Sequence, residues 1–486
     1  KNGILSYPHF VPYHGFNFNI AVETAEYILQ IPKDYQIREK QQNIKPEKYV
    51  LENDTKIYKY SVKNLKALPK ESFIAQEDIF PVIYLSPEKF CVEKNCGNMS
   101  SWQNFGKWQS ELLKGRNILP QSTIDKVLEL TNGITDKRQK VKILYEFMQK
   151  TTHYVSIQLG VGGWQPIAAA DVAKTGFGDC KALSNYMKAL LATVEIPSFY
   201  TVISTNKKRF FSDFPSFGQA NHVILTVPLD TDTVYLECTS QLAPFGFISD
   251  LAGHDCLLVG DNEVRFFTIP AYKKYENLIS NSLKISLNES GTANLQVHTS
   301  LRNEDFEQIY YTLKAADETE KNKALAGLLR VQKPKISNFS KEEKLDERPQ
   351  IDLKFDVTCE DFASLTGQRM VLKINPFRVS FRNFLTGNKR KFDIDISNSH
   401  IQTDSIVIDI PAGYAVEIKP KSTIVSTKYG SFITTATFTD TQVTYVQMLT
   451  FNQGKYSASE FDEIKKFCVQ LDNLQNSDIG FKKSEK

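Results

Sequence analysis

Gly176-Phe177-Gly178-Asp179-Cys180-Lys181-Ala182-Leu183-Ser184 is the stretch that most limits what this chain can become. Two glycines ahead of an aspartate make a tight entry turn, because glycine reaches backbone angles that other residues avoid and aspartate favours helix starts. Beyond it Leu183, Met187, Leu190, Leu191 and Val194 recur with a helical period and form one apolar stripe. Cys180 therefore sits in the first turn of that helix, on its inward-looking side. Unpaired amide N–H groups and the positive end of the helix dipole both favour thiolate over thiol there. The competing reading is a small core thiol, since free cysteine is among the most buried residue types.

Two later positions bear on that choice. Asn221 to Val227 reads as a strand, Pro228 to Thr233 as a turn, and Val234 to Thr239 as a second strand, together an antiparallel hairpin. An even number of loop residues puts His222 and Glu237 on one face, directly opposed or one diagonal step apart. A thiol at a helix start, an imidazole on a strand and a carboxylate on the next strand are the parts of a nucleophile, base and orienter. The imidazole takes the thiol proton, and the carboxylate fixes the tautomer that faces sulfur.

The order Cys180, His222, carboxylate, with Gly-Asp-Cys-Lys before the helix, resembles the transglutaminase-like branch of the papain-like cysteine peptidase superfamily. Tyr154-Val155-Ser156-Ile157-Gln158-Leu159-Gly160, Gly163-Trp164-Gln165-Pro166 and Leu236-Glu237-Cys238-Thr239-Ser240-Gln241 strengthen the likeness, which is specific between about Trp102 and Val259. They resemble a bacterial subgroup whose core lies between uncharacterised β-rich domains. The resemblance implies catalytic roles for Cys180 and His222. For the third role the family usually has Asp where this chain has Glu237, so Asp230 and Asp232 in the turn stay open as alternatives. Acyl transfer also needs donors aimed at the developing oxyanion. One is the backbone N–H of Cys180, and a second is supplied by the Trp164 indole or by the Gln158 or Gln165 side chain, with Trp164 favoured by the resemblance. An ordinary core aromatic is the plain alternative for Trp164.

A chain of 486 residues is too long for one ordinary core. The expected class is α+β in three parts: a β-rich domain over 1–100, a transglutaminase-like core over 101–262, and a β-rich domain with inserted and terminal helices over 263–486. A net charge of +3 gives no reason to invoke nucleic acid or an acidic membrane. No apolar run approaches the roughly 20 residues that span a bilayer. Seven cysteines do not make a disulfide scaffold, although Cys91 and Cys96 are close enough to bridge across a turn. An odd count leaves a free thiol in any case, with Cys180 the natural candidate. Gly160, Gly162 and Gly163 lack the Lys-Ser or Lys-Thr of a phosphate loop. His153 and His254 lack partners at ligand spacing, and no acidic loop suits calcium, so neither cofactor nor metal is expected.

In the first part, alternating runs from Phe16 onward, at Phe18–Val22, Tyr27–Ile31 and Lys56–Val62, predict antiparallel strands of a sandwich. Trp102, Phe105, Trp108 and Leu112 predict a helix capped by Ser101. Further helices start near Gln121, with Ile124, Val127 and Leu128 inward, and near Asp136, with Val141, Leu144 and Met148 inward. In the third part, 282–287 and 293–298 predict a hairpin, and 351–357, 405–410 and 442–446 further strands. One helix is expected over Glu304–Leu329 and a last one over Ser459–Leu471, announced by Ser457 and Glu460 at capping-box spacing. Lys389-Arg390-Lys391 reads as solvent-facing.

The enzyme reading is a Cys-His-Glu(Asp) acyl-transfer site acting on a peptide or protein, with hydrolysis by a peptidase or amidase ahead of amine transfer by resemblance. The same resemblance implies a periplasmic, outer-surface or secreted protein of the bacterial envelope, with cell-wall or glycan-linked material a conceivable substrate. The rival readings are a catalytically inactive transglutaminase-like scaffold or binding protein of the cell envelope, and an adhesion module whose β domains bind glycan or peptide.

Overall fold

The computed structural model describes residues 8–13, 18–75, 79–260, 264–381 and 389–484. Its class is mixed α+β, with helices in consecutive blocks and sheets that are mainly antiparallel. Contacts divide the chain into two compact units, residues 1–70 with 76–271 and residues 71–75 with 272–486.

The first unit opens with β1 (Val22–Pro32), β2 (Ile37–Gln42), β3 (Glu47–Glu52), β4 (Thr55–Leu65) and β5 (Val82–Pro87). They form a three-stranded sheet in the order β1-β4-β3 and a β2-β5 pair, all antiparallel. Alternate residues Leu29, Ile31, Tyr60, Val62, Ile83 and Leu85 share one apolar cluster, as period-two side chains of facing strands must. The expected strand at Phe18–Val22 does not form; the sheet starts at Val22. Phe18 instead stacks on Phe80 at 3.6 Å and its carbonyl accepts the Leu68 N–H, which holds this segment as a turn. Phe16 lies outside the described residues.

A short hairpin of β6 (Lys89–Val92) and β7 (Asn95–Asn98) carries a Cys91–Cys96 disulfide. The helical block follows: α1 (Trp102–Leu113), α2 (Gln121–Thr131) and α3 (Lys137–Thr151). Ser101 caps α1 through the Asn104 N–H at 3.1 Å, and Asp136 caps α3 through the Gln139 N–H at 2.9 Å. Val127, Val141, Leu144 and Met148 are fully buried, but Leu128 is 50% exposed, one position past the inward face of α2. After β8 (His153–Tyr154) come α4 (Ala169–Thr175), β9 (Phe177–Gly178) and α5 (Cys180–Thr193). Leu183, Met187, Leu190 and Leu191 of α5 are fully buried against α2 and α3 residues and against Leu225 and Leu236. Truncating a core leucine such as Leu190 to alanine costs about 2–5 kcal/mol. A five-stranded antiparallel sheet completes the unit: β10 (Phe199–Ile203), β11 (His222–Pro228), β12 (Thr233–Leu236), β13 (Asp255–Val259) and β14 (Val264–Thr268), in the order β12-β11-β10-β13-β14.

The second unit is built on an eight-stranded sheet, order β17-β18-β16-β15-β22-β26-β25-β24, with only β15 and β22 parallel. Its strands are β15 (Leu278–Leu287), β16 (Ala293–Arg302), β17 (Lys335–Lys344), β18 (Gln350–Cys359), β22 (His400–Asp409), β24 (Thr423–Thr427), β25 (Gly430–Phe438) and β26 (Gln442–Phe451). A four-stranded sheet joins β19 (Ser364–Thr366), β20 (Arg369–Lys373), β28 (Asp478–Lys483) and β23 (Tyr414–Ile418), and β21 (Ile394–Ile396) pairs with β27 (Gly454–Tyr456). The expected single helix is two, α6 (Glu304–Ala315) and α7 (Glu318–Gly327), because Asp317 forms a capping box with Glu320 and starts a new helix. The last helix, α8 (Phe461–Gln475), follows a single tight turn opened by the Ser457–Glu460 capping box. The basic run is not wholly solvent-facing. Arg390 pairs with Glu71 at 3.4 Å, their side chains 5% and 7% exposed, and donates to the Ser72 carbonyl at 2.6 Å.

Candidate active site

The turn before α5 has the geometry its residue types require. Gly176 ends α4 at φ +73°, a left-handed angle that suits glycine, and donates to the Val172 carbonyl at 2.8 Å. At Gly178 a Cβ would stand 2.9 Å from the Ala182 Cβ, so only glycine lets β9 lie this close to the helix start. Asp179 is the N-cap, accepting the Ala182 N–H at 3.0 Å through Oδ1. Its other oxygen binds the Lys181 ammonium, an ion pair with both side chains almost wholly buried. Cys180 is thus the first residue of the helix, 6% exposed. The backbone N–H groups of the first turn precede the first internal bond, from the Leu183 N–H to the Asp179 carbonyl at 2.9 Å.

His222 opens β11, and Glu237 follows the last residue of β12. The register pairs Leu225 with Leu236, so His222 and Glu237 fall on one face, a diagonal step apart. The Nε2 of His222 lies 2.8 Å from Glu237 Oε2, and the ring lines the same cavity as Cys180. Nδ1 is the ring nitrogen that Glu237 does not take. Glu237 Oε1 accepts from the Thr239 N–H at 3.0 Å and from its hydroxyl at 2.5 Å. The Tyr145 hydroxyl donates to the Glu237 carbonyl at 2.8 Å, and Gln149 binds the Ser240 and Ala243 carbonyls at 2.9 Å each. Ser184 donates to the Val223 carbonyl at 3.2 Å and fastens α5 to β11.

Burial alone would push the His222 imidazolium toward the neutral form. The hydrogen bonds to Cys180 and Glu237, with the charges of both, outweigh it and carry the imidazole up to about 10. Burial likewise works against the Glu237 carboxylate, yet His222 and Thr239 hold it below its ordinary range. The two directions agree: this environment favours an imidazolium beside a carboxylate.

A cavity of about 610 Å³ opens at Cys180 and His222. Gln158 and Trp164 line it, Trp164 with its ring 4.3 Å from that of Phe217. Gln165 turns to the scaffold, accepting from Arg116 at 2.6 Å and donating to the Leu112 carbonyl at 3.3 Å. Asp230 and Asp232 pair with Lys137 and Arg138, Asp230 at 2.8 Å and Asp232 at 2.5 Å, so their oxygens are committed to α3. His254 is a satisfied core residue whose Nδ1 lies 2.8 Å from the Ser204 carbonyl, and His153 is exposed. Among the described residues no group of three or more His, Cys, Asp or Glu is placed to hold a metal ion. No described helix is long and apolar enough to cross a membrane. Sequence reasoning missed Thr239, two residues after Glu237, where a hydroxyl local to a carboxylate was a usable signal. It also missed Phe217 and Tyr145, which only the tertiary fold brings in.

Residues 368–481 match a family described as a domain of unknown function with solved-structure structure (DUF3858). That stretch does not include Cys180, His222 or Glu237. No curated protein matches the chain. One similar solved structure is that of a putative protease from Parabacteroides distasonis, with a TM-score of 0.62 and 10% identity, covering 98% of this chain and 75% of that one. At that identity the likeness concerns the fold.

Proposed function

We propose that this chain is a transglutaminase-like cysteine enzyme that cleaves peptide or amide bonds, with Cys180 as nucleophile, His222 as base and then acid, and Glu237 as orienter. The observation that carries the reading is one imidazole that meets a carboxylate at 2.8 Å and lines the same open cavity as Cys180. The fold-level likeness to a protease supports it as analogy.

In this mechanism the Cys180 thiolate adds to the substrate carbonyl carbon, and the oxyanion meets the N–H groups at the start of α5. The tetrahedral adduct collapses, the C–N bond breaks, and His222 gives its proton to the leaving amine. Water, deprotonated by His222, then attacks the thioester; the acid departs and the thiol is restored. Glu237, held by Thr239, keeps Nε2 protonated and Nδ1 toward sulfur. Trp164 and Gln158 are the side chains on the cavity wall that we assign to the second oxyanion donor. Gln165, bound to Arg116 and the Leu112 carbonyl, serves the wall from behind.

We place this core over residues 101–262, between β-rich domains over 1–100 and 263–486, in a protein of the cell envelope or secreted. The Cys91–Cys96 disulfide supports an oxidising compartment. Mass spectrometry of peptide and glutamine-donor substrates, with a primary amine present, tests the reaction. The expected result is hydrolysed product that Cys180→Ala abolishes. Amine-linked product would reassign the acceptor, and no product from any donor would favour a scaffold.

A further inference from the structure

The cavity says more about the substrate than that it carries a carbonyl. Cys180 belongs to one apolar cluster with Phe105, Tyr200, Val202 and Phe217, and these residues also line the space in front of it. Phe217 is the central ring. Trp164 lies 4.3 Å from it, Phe90 4.9 Å, Phe105 5.4 Å and Trp108 5.5 Å, the last three nearly edge-on. Edge-on packing from several sides holds a ring in place without a hydrogen bond, so this wall is set before any ligand arrives.

The charges of the lining point the same way. Among the described residues that line the cavity none is Asp or Glu, and the Glu93 carboxylate behind the lining residue Gly160 already accepts the Val161 N–H at 3.2 Å. The two cationic side chains of the lining are already partnered, Lys181 by Asp179 and His222 by Glu237. An ammonium or guanidinium entering there would lose water and find only carboxylates already engaged, Glu93 by the Val161 N–H, Glu237 by His222 and Asp179 by Lys181, and a carboxylate would compete for cations already paired. An apolar side chain pays no such desolvation penalty. The volume, about 610 Å³, has room for a large side chain together with the reacting carbonyl.

We infer that the substrates of this site carry a bulky apolar residue, aromatic or branched aliphatic, at or next to the carbonyl that Cys180 attacks, with Phe217 as the specificity-determining ring. This inference rests on the nucleophile reading above and is separable from it by experiment.

The test uses the full chain and a series of dipeptidyl vinyl sulfones that differ in one residue: Phe, Leu, Ala, Asp or Lys. The rate of adduct formation on Cys180 is followed by mass spectrometry. The Phe and Leu probes are expected to react at least about tenfold faster than the Ala, Asp and Lys probes, the scale on which apolar pockets discriminate. Phe217→Ala is expected to narrow that ratio. Should it not fold, Val202→Ser at the same wall gives the same readout, and the wild-type series stands without either. Iodoacetamide, which has no side chain to select, serves as the control. If iodoacetamide modifies Cys180 selectively while the series is flat or favours Asp or Lys, the apolar inference is overturned and the nucleophile stands. If iodoacetamide also fails to single out Cys180, both fall.

Discussion

Each unit of this protein holds a carboxylate largely out of solvent, Glu237 partly and Asp404 fully buried, and the two have been given opposite company. Glu237 meets a titratable ring on one oxygen and a threonine on the other, beside a cavity. Asp404, on β22, is 1% exposed and ringed by amides. Asn281 and Asn375 donate to it at 2.7 Å, Gln402 at 3.0 Å and Gln447 at 3.2 Å. Those four amides are themselves buried and tie β15, β22 and β26 to the segment before Phe377. Burial pushes the Asp404 carboxyl up to about 6 although the amides pull it down, whereas the partners of Glu237 win against burial and hold it low. A buried acid surrounded by neutral amides is a fastening; one facing an ionisable ring and an open space can serve chemistry.

Substitutions that keep the shape and remove the charge separate the two. Glu237→Gln is expected to lower turnover by about 10²- to 10⁴-fold, because the amide no longer fixes the productive tautomer. Far-ultraviolet circular dichroism should be unchanged. Asp404→Asn does the reverse: its new N–H₂ faces amide donors, and the second unit should lose about 2–4 kcal/mol in denaturant unfolding while turnover per folded molecule holds. Equal effects of both on turnover would erase the distinction.

A smaller effect, and the sharpest in sign, is the pH dependence of stability. The imidazole of His222 is raised from 6.5 to about 10, so its contribution is complete below pH 6.5 and is lost as pH rises through 10. Glu237 is lowered from 4.5, so its contribution is present above that value and is lost on acidification through its depressed range. Asp404 is raised from 3.8 to about 6, so its contribution is complete below pH 3.8 and is lost as pH rises through 6. Between pH 4 and 6 the second unit should therefore weaken while the first does not. Hydrogen exchange followed unit by unit checks this, and Asp404→Asn should reduce the drift, leaving the part due to Asp305, which burial also raises.

What could be read from the chain was what is local. The glycine turn, the helical period after Cys180 and the strand alternation that aligns His222 with Glu237 are short-range patterns, and the structure keeps all three. The break between α6 and α7 was also written locally, in Asp317 and Glu320, but the apolar period ran across it and hid it. The pairing of Arg390 with Glu71, the amide ring on Asp404 and the rings around Phe217 join residues far apart in the chain. No periodicity encodes such contacts. The Cys91–Cys96 spacing allowed a bridge without fixing one, since five other cysteines could compete, and the structure leaves those five free.

The most direct test of the account is competitive alkylation of the folded protein with limiting iodoacetamide across pH 5–9, each cysteine followed by peptide mapping. Burial pushes Cys238, Cys256, Cys359 and Cys468 up, toward unreactive thiols. The account predicts that Cys180 alone is modified rapidly near neutral pH, and that His222→Ala slows it by about tenfold or more. Cys180 labelling no faster than those four, or a rate indifferent to the loss of His222, would contradict it.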